Sequence, residues 1–475
     1  MSEPVARLSR AEVCLRNRFN FVRKPAIELG LLLVVTLIGT LLRMHRLGDW
    51  SFWGDEEFTL RFADDGFRFA TSSALIYWVT RAIGVSEWSA RLVPALIGIV
   101  TIPILYLPVR RIFGKAVALL SSLLLSVSTW HLYWSQNVRF YTALLLLYSL
   151  ALLTFFLAVD EDRPWLMLAS LVFLGLAAKE RLLALYFVPV AAGYGLLLWL
   201  LRFERPRGLC LRNLSIYLVP GTVLALFFAG PYILHLDDWL VNFGQVNNSP
   251  LWIVAGIIYY VGLPVICLGT LGALYQLLER SRAVLLLSLA AVMPVLALVA
   301  LAPFHYTANR YAFVALTSWI LLASIAIVEL FKQVKGTGLL LATGVLTLAL
   351  AVPLTEDFLY FQYQNGNRDD ARAAFRYIGE HQLPGDVVVA ANKALGQYYL
   401  DRPVLNLGSY NFAAIPPDVK RIWIVEDLNV EGTTPQQFAW IRAHAREVAN
   451  FDVHVYARSF LMRVYLYEVP AAANR

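Results

Sequence analysis

Asp55, Glu56 and Glu57 stand together just after the first long apolar run, within Trp50-Ser51-Phe52-Trp53-Gly54-Asp55-Glu56-Glu57-Phe58. Three adjacent carboxylates repel one another and repel anionic headgroups. Their place at the rim of a lipid-embedded chain suits a general base acting on a substrate held at the membrane surface. Arg139, Lys179, Arg181 and Arg310 recur at the ends of later apolar runs. Cations at that depth suit a phosphate, which Arg binds bidentately. Singly, such residues also snorkel to headgroups, and a lone loop carboxylate is simply solvated. The conjunction is more specific than any member.

The elements that position these groups follow from composition. The chain is 59% hydrophobic and 15% charged, against about 25% charged residues in soluble domains. Apolar runs long enough to span a hydrocarbon core recur along most of it. The fold class read from this is a polytopic α-helical membrane protein of about eleven spans. They fall at 27–47, 88–108, 116–134, 140–159, 165–178, 182–201, 216–234, 252–278, 284–302, 311–331 and 338–354. The expected division is a basic N-terminus (1–26), a membrane domain (27–355) and an α/β domain (356–475).

Basic residues set the expected orientation. The N-terminal segment carries Arg7, Arg10, Arg16, Arg18, Arg23 and Lys24, and every second loop after it is basic. These are Arg110, Arg111 and Lys115; Arg202, Arg205, Arg207 and Arg212; Arg280 and Arg282; and Lys332 and Lys335. The loop 160–163 is the weak member. These faces are expected in the cytoplasm. The acidic cluster and the C-terminal domain then lie outside it, in a plasma or inner membrane. The charge of +7 is thereby explained without nucleic acid. No small-x-small cleavage site follows the first run, so it reads as a retained helix. Cys14 and Cys210 fall on the cytoplasmic side, Cys267 falls in a span, and the exported domain has none. Its fold needs no disulfide, and no paired-ligand metal motif is visible.

The first outer loop, 48–87, is the longest of the membrane half. Its aromatic content argues against disorder, and 69–83, with Leu75, Ile76, Tyr77, Trp78 and Val79, suits an interfacial helix. Other outer turns are 134–141, 179–181, 235–250 with Asp237 and Asp238, and 303–311. Trp53, Tyr141 and Tyr311 flank the acidic and basic groups and are candidates to contact a sugar or acceptor.

Local motifs, taken in order, resemble those of GT-C fold glycosyltransferases, specifically the family 39 set. That set includes protein O-mannosyltransferases and the aminoarabinose transferase that modifies lipid A. Gly54-Asp55-Glu56 is similar to its Asp-Glu loop motif. The run Ser86-Glu87-Trp88-Ser89-Ala90-Arg91-Leu92-Val93-Pro94 resembles its second helix. Ser135-Gln136-Asn137-Val138-Arg139-Phe140-Tyr141 resembles its Ser-Gln-x-x-Arg-x-Tyr turn, and Asn309-Arg310-Tyr311 its late Arg-Tyr. The resemblance implies transfer of a sugar, usually with inversion, from a polyprenyl-phosphate donor to an acceptor hydroxyl on a lipid, glycan or protein. It implies Asp55 as base, with the charge of Glu56 beside it favouring proton capture. It implies donor phosphate binding by Arg139 and Arg310 foremost, with Lys179 and Arg181. Two departures stand out. The segment after the acidic loop lacks the family's His-Pro-Pro, and Asn137 stands where relatives often have an acid. They leave the acceptor open, and with it a divalent metal, for which Asp55 or Glu56 would be a ligand; His235, Asp237, Asp238 and His305 share that face. The alternative class is a transporter or flippase for lipid-linked glycans, which calls for charge along the spans. A receptor or assembly scaffold leaves the acid-and-cation face unexplained.

In the tail, a helix is expected over 368–381, with Ala371, Ala374, Phe375 and Ile378 on one face. Strands are expected at 387–391, 421–425, 453–456 and 461–469, and a helix at 435–449. Tyr398 and Tyr399 are candidates for sugar stacking or for core packing.

Overall fold

Every expected apolar run meets a helix or a broken helix pair. The computed structural model describes residues 25–61, 70–234, 248–427, 434–455 and 458–470. His235, Asp237, Asp238 and the basic residues of the N-terminal segment lie outside them, as do Asp64, Asp65, Arg68 and Phe69. The membrane half runs α1 (Pro25–Met44), α2 (Gly54–Arg61), α3 (Thr71–Ile83), α4 (Glu87–Phe113), α5 (Lys115–Ser126), α6 (Thr129–Ser135), α7 (Tyr141–Glu161) and α8 (Pro164–Glu180). It continues through a 3-10 turn (Leu182–Tyr186) into α9 (Phe187–Leu200), then α10 (Leu211–Leu234), α11 (Pro250–Val261), α12 (Leu263–Leu278) and α13 (Arg282–Leu301). A second 3-10 turn (Asn309–Ala315) leads into α14 (Leu316–Gln333), and α15 (Gly338–Gln362) closes the set.

Two expected spans are not single straight helices. The run at 116–134 bends by 60° between α5 and α6, and the run at 252–278 by 94° between α11 and α12. Gly262 has φ +92° at the second bend, and Pro264 follows at the start of α12. Glycine permits that dihedral, and proline starts a helix without needing its missing N–H. Among the described residues, seven helices are long and apolar enough to cross a membrane, or nine if each bent pair is one span. α8, with 17 residues, is the short one, as its sequence indicates.

The first helix shows how little of a span meets protein. Glu28, Val35, Gly39 and Arg43 form its buried stripe, while Leu29, Leu33, Leu37 and Leu41 are exposed on the apolar outside. Spacings of four and seven residues keep the stripe on one face. Arg43 is fully buried and answers the bend between α5 and α6. Its guanidinium donates to Ser126 O at 2.9 Å, Leu125 O at 3.1 Å and Gly39 O at 3.0 Å. His131 Nδ1 lies at 2.6 Å. Carbonyls at a helix C-terminus lack internal partners and favour a cation. A Cβ on Gly39 would collide with Ile102, and one on Gly98 with Ser135, so glycine makes the room. Arg43→Ala is expected to cost roughly 3–5 kcal/mol, the scale of a broken buried charge network. A lowered melting temperature in detergent is the check; an unchanged one would refute this role.

Contacts sort the loops into two ends. At one, Glu28 pairs with Arg110 and Lys115, Arg282 with Asp160 and Arg212 with Asp162, while Arg280 reaches the carbonyls of Leu201 and Arg202. The basic loops that the sequence assigns to one face therefore do meet, and the weak loop at 160–163 supplies acids to them. The other end gathers Asp55, Arg139, Glu180 and Arg310.

Beyond α15, α16 (Ala371–His381) buries Ala371, Ala374, Phe375 and Ile378, as its periodicity requires. The strands are β1 (Val387–Ala390), β2 (Leu405–Asn406), β3 (Arg421–Asp427), β4 (Arg446–Asn450), β5 (Val453–Val455), β6 (Arg458–Phe460) and β7 (Met462–Glu468), with α17 (Lys393–Leu400) and α18 (Pro435–His444) between them. Five form a sheet in the order β2-β1-β3-β7-β4, parallel through β3 and antiparallel beyond, while β5 and β6 pair separately. The helix expected to reach residue 449 stops at His444, because the next residues pair with β7 as β4. Pairing with a ready strand overrides helical propensity there. Sequence periodicity also missed α17, whose eight residues are too few to show it.

Candidate active site

Three acids in the first turn of α2 suit a helix N-terminus, where the dipole favours negative charge. Consecutive helical residues point about 100° apart, so the three carboxylates diverge. Glu57 turns to Arg61 at 2.8 Å. Glu56 turns inward and is fully buried. Asp55 turns to the cleft between the later turns.

Glu56 is held from several sides. Arg91 donates to it through Nε at 2.9 Å and Nη2 at 2.7 Å, in a bidentate pair. The Val138 N–H donates at 2.9 Å, and Arg368 Nε lies at 3.6 Å. Burial pushes the Glu56 carboxyl up, but the two guanidiniums and the Val138 N–H hold it below the ordinary glutamate range. The charge of Glu56, expected to help Asp55, is matched by Arg91 and Arg368, and its side chain is fully buried. Sequence reasoning missed Arg91 and Arg368 as partners. Arg91 lies within the second-helix motif, while Arg368 sits beyond the last span with no local signal.

Asp55 meets the two cations that the sequence preferred. Its Oδ2 lies 3.8 Å from Arg139 Nη2 and 3.9 Å from Arg310 Nη2. These are ion pairs too long to be hydrogen bonds, and Asp55 Oδ2 has no hydrogen-bond partner. Arg139 is tied to α2 through Asp55 O at 3.1 Å and Thr59 Oγ1 at 3.0 Å. Arg181 is exposed, and like Arg139 it lies over the Phe140 ring, at 5.5 and 5.2 Å. Lys179 stands beside Glu180, and no contact among the described residues brings it to Asp55. Glu180 accepts from Ser72 N at 3.1 Å and Ser72 Oγ at 2.5 Å, which pins the start of α3.

Trp53 and Arg310 open onto a cavity of about 1200 Å³ that runs down between α6, α11, α14 and α15. Of the candidate sugar contacts, Trp53 lines it. Tyr141 and Tyr311 do not: Tyr141 is buried against Trp134 at 4.0 Å, and Tyr311 carries Arg310 over its ring at 5.6 Å. Asn309 lines the cavity beside Arg310. Gly256 on α11 packs so closely on Asn309 that a Cβ would strike it. Asn137 is fully buried, and neither polar atom of its amide has a partner. Among the described residues, no three His, Cys, Asp or Glu side chains form a metal-binding group, and His305 is held near the Tyr306 carbonyl.

Residues beyond α15 complete the loop. Arg372 pairs with Glu87 at 2.6 Å and donates to Gly48 O and Asp49 O, each at 3.0 Å. Tyr399 Oη accepts from Phe52 N and donates to Glu87 Oε1, both at 2.7 Å. Tyr399 is thus a structural strut between the two parts of the chain. Gln136 gathers the junction: its amide donates to Arg43 O and His45 O, while Tyr360 Oη donates to its Oε1 at 2.9 Å.

Comparisons with known proteins agree on the architecture. The sequence profile described as dolichyl-phosphate-mannose-protein mannosyltransferase matches residues 71–235. ArnT from Cupriavidus metallidurans in the apo state is similar in structure with a TM-score of 0.61, at 14% identity, over 94% of this chain and 99% of that one. The same protein bound to undecaprenyl phosphate gives 0.57 at 14% identity, over 92% and 97%. The oligosaccharyltransferase AglB from Archaeoglobus fulgidus, in complex with an inhibitory peptide and a dolichol-phosphate, gives 0.59 at 13%, over 92% and 74%. A search of curated proteins finds no match.

Proposed function

We propose that this chain, a multi-pass membrane protein with the GT-C fold, transfers a sugar from a polyprenyl-phosphate donor to an acceptor hydroxyl. The observation that carries this reading is Asp55, poised between Arg139 and Arg310, the second of which lines a membrane-domain cavity. The similar structures bound to undecaprenyl phosphate and dolichol-phosphate support the donor class. The sugar is a hexose or a pentose.

In this mechanism Asp55 takes the acceptor proton as the acceptor oxygen attacks the anomeric carbon. The bond from that carbon to the phosphate oxygen breaks, and the phosphate leaves with the electron pair. Attack opposite the leaving group inverts the anomeric centre. Before reaction, Asp55 and the phosphodiester each carry one negative charge, set against two guanidiniums. As the bond breaks the phosphate gains a second charge, so fixed cations favour the transition state over the ground state. Glu56 positions α2 through Arg91 and takes no proton. Asp55 and the cavity mouth face away from the basic loops, which supports an active site outside the cytoplasm in a plasma or inner membrane.

The transport alternative calls for a run of charge through the spans. Among the described residues, the buried cations Arg43 and Arg91 are instead committed to backbone carbonyls and to Glu56. Purified protein given a panel of polyprenyl-phosphate sugars is expected to release polyprenyl phosphate. Arg139→Ala and Arg310→Ala are each expected to weaken donor binding and its salt dependence. Failure to release phosphate from any panel member would sink the enzyme reading. Salt-insensitive, undiminished binding in both variants would sink the phosphate site.

A further inference from the structure

The cavity holds a carboxylate that the phosphate chemistry does not use. Glu356 on α15 lines it, half-buried, with Tyr259 Oη donating to its Oε2 at 3.2 Å. Glu356 lies one helical turn before Tyr360, or about 6 Å deeper along α15, and Tyr360 packs against Trp50 just below the loop. Among the described residues Glu356 forms no ion pair. A half-buried ionisable side chain in an aromatic-walled cavity is costly and usually has a functional partner.

The surrounding wall narrows the choice of partner. Trp130, Tyr133, Tyr259 and Tyr260 line the same space, with Trp130 and Tyr260 stacked at 5.4 Å. An ionised carboxylate only accepts hydrogen bonds. An isoprenoid tail offers no donor, so a tail covering Glu356 would desolvate the charge with nothing in return. A sugar offers several adjacent hydroxyl donors and apolar C–H faces that fit against aromatic rings. Pockets of this kind fix orientation with a few polar groups on an apolar wall.

We propose that Glu356, oriented by Tyr259, is the hydroxyl-binding subsite for the donor's sugar, which lies between it and the phosphate held at Arg310. This rests on the donor reading above and adds to it a residue that selects sugar-loaded lipid over bare lipid. Asp55, at the mouth, is left to the acceptor.

The test compares lipid binding by full-length protein, with bare polyprenyl phosphate and with hexose- and pentose-loaded forms as probes. Wild-type protein is expected to bind one loaded form more tightly than the bare lipid. Glu356→Gln is expected to weaken that loaded form by about 10- to 100-fold, the scale of a hydrogen bond to a charged group, and to leave the bare lipid unchanged. Tyr259→Phe is expected to act in the same direction with a smaller loss. Unchanged binding of the loaded lipid in both variants overturns the subsite. Equal weakening of loaded and bare lipid also overturns it, since it marks a general cavity defect. A wild-type protein that binds neither lipid overturns the donor reading itself, and the subsite with it.

Discussion

Asp55→Asn is expected to lower kcat by about 10²–10⁴-fold, the usual contribution of a positioned base, while donor binding persists. The contacts at this position explain why the two effects separate. Thr59 and Arg139 direct their hydrogen bonds to the Asp55 backbone carbonyl and not to its side chain, so an amide of the same size leaves α2 in place. The carboxylate oxygen nearest the two guanidiniums has no hydrogen-bond partner, so the change orphans no donor. Removing its negative charge leaves Arg139 and Arg310 free to hold a phosphate at least as well. Single-turnover release of polyprenyl phosphate, beside a lipid-binding measurement, reads both quantities. Wild-type turnover by the folded variant would remove Asp55 from its assigned role.

The second large effect is on stability. Arg91→Met is expected to cost roughly 3–5 kcal/mol, because it leaves Glu56 buried beside a single, more distant guanidinium. Glu56→Gln/Arg91→Met, which removes the bidentate pair but leaves Arg368 without its carboxylate, is expected to recover only part of that loss. The sign of the pH dependence follows from the depressed Glu56 carboxyl. Its stabilisation is fully present above the unfolded glutamate value, about 4.3, and is lost as pH falls through the lower folded value. The double variant is expected to lose that part of the acid sensitivity. Thermal melts across acidic pH check both statements; equal melting of Arg91→Met and wild type would refute the pair.

The fold was legible where physics is local. Runs of apolar residues marked the helices, and basic loops marked one end of the bundle, as the contacts of Arg110, Arg212 and Arg282 bear out. Of the proposed site, the sequence could bring Asp55, Arg139 and Arg310 together because motif order carries depth in a membrane. It could not show that Glu56 turns inward, because direction around a short helix depends on what packs against it. Arg91 and Arg368 decide that from elements 35 and 312 residues away from Glu56 along the chain. Glu356 was illegible for a related reason: a carboxylate near the end of an apolar run looks like a solvated terminus until α11 is seen to bend and place Tyr259 beside it.

The contact between Arg368 and Glu56 also bears on how the protein is made. Synthesis proceeds from the N-terminus, so α2 and Arg91 emerge long before Arg368, Arg372 and Tyr399. At usual translation rates the interval is on the order of tens of seconds. During it, Glu56 has one of its two guanidinium partners and Phe52 lacks the hydroxyl that orders it. α2 and the loop before it therefore reach their final setting only after Arg368, Arg372 and Tyr399 have arrived. A nascent chain that ends before them would hold its membrane helices without these contacts.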